Sequence, residues 1–394
     1  MEKKDVFIVS AVRTPLGSFG GVFANVPATE LGAIAIKGAL EKGNVNPNDI
    51  DEVFMGNVCS ANLGQAPARQ AALSAGISNS TPCSTINKVC SSGAKSIMLG
   101  AQSIQLGQAD IIVAGGMENM SAVPYYVPKG RFGYKYGNAE LIDGLHKDGL
   151  FDPYDQISMG VFADKTASKY EISRQNQDDF AIRSYRNSAA ATKNGIFANE
   201  IVGVSVPQRR GEPIVVLEDE EFKKVKFEKV PLLSAAFTKK GTVTAANAST
   251  INDGASALIL ASAEAVKKYK LNPIAKILSY ADSAQEPKWF TTAPTKAAPK
   301  ALKLAKMTIS DVDYFEVNEA FSVVPLVFNK ILNIDLNKVN VNGGAVSLGH
   351  PLGASGARIV TTLNNVLKSR DATIGCAAIC NGGGGASSIV IERL

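Results

Sequence analysis

Cys90 is the residue whose surroundings best fit a nucleophile. It lies in residues 87–93, and apolar residues follow it at spacings of three and four, at Ala94, Ile97, Met98 and Ala101. This spacing predicts a helix that begins just after Cys90. The N–H groups at a helix N-terminus favour a thiolate, the reactive form of cysteine, so the motif indicates covalent catalysis. The alternative is a small, buried, unreactive cysteine.

His350 is one of only two histidines in the chain, and it lies in the glycine-rich segment 342–353. Glycines place it on a tight loop, and a second helix is expected to start near Ser355. A histidine beside a cysteine can take its proton and hold the thiolate. By itself, His350 could equally be a loop residue bonded to the backbone. The other histidine, His146, lies in a polar stretch and is expected at the surface.

Cys380 and Asn318 each follow an apolar run that predicts a strand. Cys380 precedes Asn381 and four glycines, which allow the backbone to approach a substrate and direct N–H groups at an oxyanion. A nucleotide-phosphate loop is the competing interpretation, but no Lys-Ser/Thr pair follows the glycines. Asn318 can hold a water or donate to an oxyanion, or it can be a helix N-cap. These residues together indicate acyl transfer.

An internal repeat positions these groups. Residues 39–57 align without gaps with residues 301–319, at an offset of 262. The repeat places the loops of Cys90 and His350 at equivalent positions, so pseudo-twofold packing would bring the two helix starts together. Strands alternating with helices predict an α/β fold made of two similar halves. The long segment between them is expected to cover the site.

Composition excludes several other classes. The chain has 394 residues and a net charge of +5, and it lacks the dense basic face that is typical of nucleic-acid-binding proteins. No apolar run reaches the length of a membrane span. Five cysteines without a Cys-x-x-Cys pair, and two histidines, argue against a disulfide framework and a zinc site. The ends show no leader and no peroxisomal tripeptide, which predicts a cytoplasmic protein or a mitochondrial one with its leader removed.

Four loops together resemble those of the thiolase family, over essentially the whole chain. They are residues 87–90, 318–321, 349–351 and 380–382, and residues 10–17, 113–121 and 241–249 match as well. The resemblance implies two βαβαβαββ halves in five layers (α-β-α-β-α). The implied domains are 1–121 plus 250–271, an insertion at 122–249 for CoA binding and assembly, and 272–394.

The resemblance also implies a substrate, acetyl-CoA, and a role for each catalytic residue. Cys90 would be acetylated after activation by His350, and Cys380 would remove the Cα proton of a second acetyl-CoA. Asn318, through a water, and His350 would hold one thioester oxygen. The N–H groups of Cys90 and Gly382 would hold the other. The products would be acetoacetyl-CoA and CoA, by ping-pong kinetics; the pathways would be sterol or ketone-body synthesis, or cleavage.

Further residues carry implied binding roles. Contacts to CoA and the acyl group are expected from Tyr185, Lys224, Val225, Lys226, Lys229, Ser249, Met159, Phe237 and Phe321. A potassium ion is expected near Tyr185, Ala245, Ala246, Ala248 and Val346, largely through backbone carbonyls. No tightly bound cofactor is implied. A homotetramer, built as a dimer of dimers, is the implied assembly.

Departures from the family pattern keep alternatives open. Ser158 stands where many relatives have histidine, and Phe290-Thr291 stands where the branched-chain mitochondrial type has Phe-Pro. Cytosolic synthesis of acetoacetyl-CoA is therefore favoured over turnover of 2-methyl-branched substrates. The alternatives are a degradative 3-ketoacyl-CoA thiolase of broader chain length, a cysteine hydrolase, and a catalytically silent CoA-binding scaffold.

Overall fold

Strands and helices alternate through the chain, as its apolar pattern predicts. The computed structural model describes residues 4–394. The strands are β1 (Val6–Arg13), β2 (Gly17–Ser18), β3 (Glu52–Gly56), β4 (Cys83–Ile86), β5 (Ile111–Asn119), β6 (Tyr125–Tyr126), β7 (Ile142–Asp143), β8 (Phe151–Asp152), β9 (Ile157–Ser158), β10 (Val204–Val206), β11 (Ile214–Val216), β12 (Asn252–Ser262), β13 (Ala275–Ala284), β14 (Tyr314–Val317), β15 (Ile374–Asn381) and β16 (Gly385–Arg393). The α-helices are α1 (Ala28–Gly43), α2 (Pro67–Ser74), α3 (Ser92–Gln105), α4 (Met159–Lys169), α5 (Arg174–Lys193), α6 (Ala263–Tyr269), α7 (Pro294–Leu304), α8 (Val323–Leu332), α9 (Ala345–Leu348) and α10 (Leu352–Ser369).

The main sheet runs through both halves of the chain, in the order β14-β15-β16-β13-β1-β12-β5-β3-β4, with β2 paired to β12. Strands β3, β4 and β5 are parallel to one another, and so are β14 and β15. Strand β1 joins the halves through two antiparallel pairs with β13, at Phe7 and Ile8. The two sheets expected from the repeat are therefore hydrogen-bonded into one.

The repeat is visible in the order of the elements. The first half runs β1-α1-β3-α2-β4-α3-β5 and is completed by β12, whereas the second runs β13-α7-β14-α8-α10-β15-β16. The counterpart of β4 in the second half is reduced to a single parallel bridge between Val339 and Phe315. Residues 120–251 lie between β5 and β12, and they contain α4 and α5, which pack on α8 and α9. The predicted domain boundaries stay a prediction.

Three apolar clusters define the layers. One packs α1 and α2 on the first half of the sheet, and another packs α7 and α8 on the second half. The third surrounds α3 and α10, which lie between the two halves. This is the predicted five-layer arrangement. A side chain on Gly93 would lie 2.7 Å from the Ala357 nitrogen, and one on Gly356 would lie 2.3 Å from the Ala94 nitrogen, so glycines allow these two helices to touch.

In residues 4–394, no helix is both long and apolar enough to cross a membrane.

Candidate active site

Cys90 lies on a strained loop between β4 and α3. Val89 has a φ of 47°, in the left-handed region that a β-branched residue rarely adopts. Asn87 Oδ1 accepts a hydrogen bond from the Val89 N–H at 2.9 Å, and Ser92 Oγ accepts one from the Lys88 N–H at 2.8 Å. Strain of this kind costs about 1–3 kcal/mol and persists only where other contacts fix it. The loop is thus constrained to aim Cys90.

Each half of the molecule holds the loop of the other half. Ser91 Oγ donates to Asn381 Oδ1 on β15 at 2.9 Å. In the opposite direction, Glu118 on β5 accepts from the Gly353 N–H at 2.8 Å, three residues after His350. Glu118 also accepts at 2.9–3.1 Å from Asn57 Nδ2 and from the N–H groups of Val58 and Cys59. Burial raises the pKa of Glu118 to about 7, although the N–H donors favour its ionised form.

The hydrogen bonds of His350 define its tautomer. Ser355 Oγ donates its only proton to the Pro351 carbonyl at 2.8 Å, and it lies 2.6 Å from His350 Nδ1. Nδ1 therefore carries the ring proton, and Nε2 keeps its lone pair. The His350 N–H donates to Asn252 Oδ1 at 3.0 Å. Gly349 has a φ of 118°, and a side chain there would lie 2.3 Å from Asn252 Cγ, so only glycine fits this turn.

Asn318 faces the free nitrogen of that ring. Its Nδ2 lies 3.5 Å from His350 Nε2, a long contact that carries little energy by itself. Asn318 Oδ1 is buried and has no hydrogen-bond partner among the described residues. A buried oxygen of this kind is normally satisfied by water, which fits the predicted water held by Asn318.

Burial dominates the electrostatics of both cysteines. It raises the pKa of Cys90 to about 11, although the N–H groups of Gly382 and of Cys90 itself lower it. Desolvation therefore outweighs the N–H groups at the helix N-terminus, so the predicted nucleophile depends on a base to remove its proton. Burial also raises the pKa of Cys380, and a charge on Cys90 raises it further. Burial, followed by the charge of Arg358, lowers the pKa of His350 to about 3, so the imidazole is neutral.

A cavity of about 510 Å³ leads to His350. Of the predicted residues, it is lined by Lys224, Ser249, Met159, Phe237, Phe321, Ala245, Ala248 and His350. The Phe321 ring meets Phe237 edge-on at 6.1 Å, and Phe290 packs behind it at 6.5 Å. Thr291 is fully buried and is hydrogen-bonded to Thr166. This wall of the cavity is thus aromatic, and Phe290 packs behind it.

Most of the other predicted binding residues do not line this cavity. Tyr185 and Val346 are buried in one cluster with Ala181, and Val225 packs against it. Ala246 is buried nearby, and its N–H donates to Thr244 Oγ1 at 3.3 Å. Lys226 and Lys229 are exposed. Lys224 bonds to Ser18 and forms an ion pair with Glu220, which holds its side chain at the cavity.

Sequence reasoning missed several residues. His146 is exposed as expected, but it lines the cavity and its ring lies 4.8 Å from Phe151. Glu118, Asn252 and Ser355 hold the His350 loop. Their signal in the sequence is weak, because each is a common polar residue whose partner is far along the chain.

This geometry supports acyl transfer. Two N–H groups lie near the Cys90 sulfur, Cys90 packs against the apolar cluster that contains Leu352, two residues after His350, and His350 is a neutral base. Cys380 is fully buried, and a charge on Cys90 raises its pKa, which indicates that the two thiols are close. No cluster of three His, Cys, Asp or Glu side chains suited to a metal is found among residues 4–394.

Comparison with known proteins identifies the family. The model of the thiolase N-terminal domain matches residues 6–264, and that of the thiolase C-terminal domain matches residues 271–393. The chain belongs to the thiolase family. It is 58% identical to an acetyl-CoA acetyltransferase of Schizosaccharomyces pombe, over all of both chains. Relatives at 51% and 55% identity include one named cytosolic, from Gibberella zeae, and one named mitochondrial, from Danio rerio.

Two solved structures are similar along their whole length. The Acat5 thiolase of Ascaris suum in complex with coenzyme A shares 49% identity and a TM-score of 0.95, covering 99% of this chain and 100% of that one. The acetyl-CoA acetyltransferase of Bacillus anthracis shares 39% identity and a TM-score of 0.97, with full coverage of both chains. The predicted thiolase fold is confirmed.

Proposed function

We propose that the protein joins two acetyl-CoA molecules into acetoacetyl-CoA and CoA, and catalyses the reverse cleavage. The observation that carries this proposal is the proximity of two thiols: half-buried Cys90 on one half lies near the Gly382 N–H, and its charge acts on the buried Cys380 of the other half. The neutral His350 lies at the cavity that leads there. A cysteine hydrolase would need only the first thiol. The names of the relatives and the CoA complex of the Ascaris suum thiolase support the same substrate.

The first half-reaction acetylates Cys90. His350 Nε2 takes the thiol proton, the sulfur attacks the thioester carbonyl, and the bond to the CoA sulfur breaks. The N–H groups of Cys90 and Gly382 hold the carbonyl oxygen as it gains charge. The departing CoA sulfur takes the proton of Cys380. Acetyl-Cys90 is neutral, so the charge that opposes a thiolate on Cys380 is gone.

The second half-reaction forms the carbon–carbon bond. Cys380 removes the Cα proton of the second acetyl-CoA, and the carbanion attacks acetyl-Cys90. The protonated Nε2 of His350 and the water held by Asn318 stabilise the enolate oxygen. When the bond to Cys90 breaks, the sulfur recovers the proton from His350, and the starting protonation state is restored.

The cavity supports a short acyl group and CoA. Met159, Phe237 and Phe321 form its apolar wall, and Lys224 and Ser249 are its polar contacts. Tyr185, Val225, Lys226 and Lys229 extend the CoA site. A potassium ion would be held by the phenol oxygen of Tyr185 and the carbonyls of Ala245, Ala246, Ala248 and Val346, of which Ala245 and Ala248 line the cavity. Burial, followed by the charge of Glu221 in the same cavity, raises the pKa of Tyr185. A homotetramer in the cytoplasm completes the proposal.

The test is a thiolysis assay with acetoacetyl-CoA and CoA, with and without potassium. Cys90→Ser should abolish thiolysis. Cys380→Ser should still be acetylated but lose deuterium exchange at the acetyl Cα, and Cys83→Ser, at the far edge of the sheet, is the matched control. Normal exchange in Cys380→Ser would refute its role. Preference for a long-chain 3-ketoacyl-CoA, or turnover of 2-methylacetoacetyl-CoA, would refute the narrow pocket.

A further inference from the structure

Two arginines are fully buried in this protein, and they are bonded very differently. Arg13 donates to Glu200 and to both oxygens of Asp219 at 2.6–2.9 Å. Arg358, on α10, has no hydrogen-bond partner at Nε, Nη1 or Nη2 among the described residues, although it is only 1% exposed. Its nearest charge is Glu316 Oε2, 3.6 Å from Nη1, which is too long for a hydrogen bond. A buried guanidinium without hydrogen-bond partners requires an explanation.

The location of Arg358 supplies one. Ser355 and Arg358 are three residues apart, so they share a face of α10, and Ser355 contacts His350 Nδ1. Glu316 lies on β14 and Asn318 directly follows that strand, two residues further on, so both face away from Phe315 and Val317, which lie in the outer apolar cluster. Arg358 and Glu316 therefore lie directly behind His350 and Asn318.

Buried polar atoms without a hydrogen-bond partner in the part of the chain that the structure describes are found on the same side chains. They are Asn318 Oδ1, Glu316 Oε1 and the three Arg358 nitrogens, all buried. Acceptors and donors that face each other in a closed space are normally joined by ordered water. We propose that Arg358 and Glu316 are positioning residues for the reaction, joined by internal water to the oxyanion site. In this arrangement, the positive charge of Arg358 makes protonated His350 a stronger hydrogen-bond donor.

This role of Arg358 rests on the proposed function, because it concerns the step in which His350 holds the enolate oxygen. A nearby positive charge disfavours the imidazolium, so the proton on Nε2 is acidic, binds the enolate oxygen strongly and returns readily to Cys90. Burial raises the pKa of Glu316 to about 8, although Arg358 lowers it, so this carboxyl is largely protonated at neutral pH and offsets little of that charge. The other charged groups that act on the pair are Arg13, Arg183, Glu200 and Glu319.

The experiment compares the full-length protein with Arg358→Met, Glu316→Gln and the double variant. Replacing one partner alone leaves the other buried polar group without its neighbour, whereas replacing both together is often close to neutral for folding. The double variant therefore tests catalysis in a folded protein. The readout is the ring ¹⁵N shift of His350 against pH. Only His146 contributes a second signal, and His146→Gln assigns it.

The two single changes should have different effects on the titration of His350. Arg358→Met should raise the pH at which the ring becomes protonated. Glu316→Gln should leave that pH nearly unchanged, because burial raises the pKa of Glu316 to about 8 and its carboxyl is already neutral where His350 titrates. The double variant should lose about tenfold in kcat, with KM for acetoacetyl-CoA changed less than about twofold, because the group acts on the transition state through water. Arg358→Lys should keep the wild-type titration of His350 and recover part of kcat.

A double variant with wild-type kcat and a wild-type His350 titration would overturn the proposal and leave the pair a structural role. Equal shifts of the His350 titration in both single variants would also overturn it, since they would report general disruption and not the loss of the Arg358 charge. The titration needs no substrate. If the wild-type protein lacked thiolysis, the proposed function would fail while the coupling of Arg358 to His350 was still measured.

Discussion

The resting state of Cys90 can be tested by the pH dependence of its alkylation. Burial raises the pKa of this thiol to about 11, and the neutral form is therefore favoured at physiological pH. At pH 7 the thiolate fraction is about one in 10⁴, because four pH units separate the solution from the pKa. The thiolate is the form that reacts with iodoacetamide. The alkylation rate should thus rise about tenfold per pH unit, or about a hundredfold from pH 7 to pH 9.

The assay is carboxamidomethylation of the native protein, followed by mass spectrometry of the peptide that contains Cys90. The control is the same chain unfolded in urea, in which the rate should level off near pH 8.5, the pKa of an ordinary thiol. Cys83, half-buried at the edge of the sheet, serves as an internal reference in the same digest. A rate for Cys90 that is constant between pH 6.5 and pH 9 would refute the reasoning. It would mean a stable thiolate–imidazolium pair with His350.

Two further predictions concern the loops. Glu118→Gln leaves two of the four N–H donors facing an amide NH₂, and each unpaired buried donor costs about 1–3 kcal/mol. The free energy of unfolding in urea should fall by about 2–6 kcal/mol, while Glu140→Gln, in an exposed segment, should leave it unchanged. An unchanged urea midpoint for Glu118→Gln would show that the hydrogen bonds of Glu118 do not hold these loops in place. Val89→Gly removes the strain at φ 47° but also the constraint, so stability should change by less than about 1 kcal/mol while kcat falls about tenfold. A wild-type kcat would show that the strain does not aim Cys90.

The sequence predicts the frame of the site because its parts are local. A helix start after Cys90, glycines around His350 and the strand before Asn318 are all readable from short-range patterns. The repeat then places the two helix starts together, and the structure has α3 and α10 in contact. The continuous sheet could not be predicted, because the two residue pairs that join β1 to β13 produce no recognisable pattern in the sequence of either strand.

Charges in the interior were the least predictable feature. The helix N-terminus that favours a thiolate at Cys90 can be recognised from the sequence, whereas the burial that raises the pKa of Cys90 depends on the packing of distant segments. Arg358 and Glu316 each look like a polar residue on an amphipathic element, for which the surface is the default location. Only the five-layer packing, with α10 covered on both sides, places them in the core.

The two thiols impose an order on the reaction. A thiolate on Cys90 raises the pKa of Cys380, so both cannot be ionised together at moderate pH. Burial is the larger cause of the raised pKa of Cys380 and persists after acetylation, so in the proposed mechanism Cys380 becomes a base only when the departing CoA sulfur takes its proton. The second acetyl-CoA therefore meets an active base only when an acyl acceptor is ready beside it. Because each half holds the loop of the other through Glu118 and Asn381, this coupling exists only at the interface between the halves.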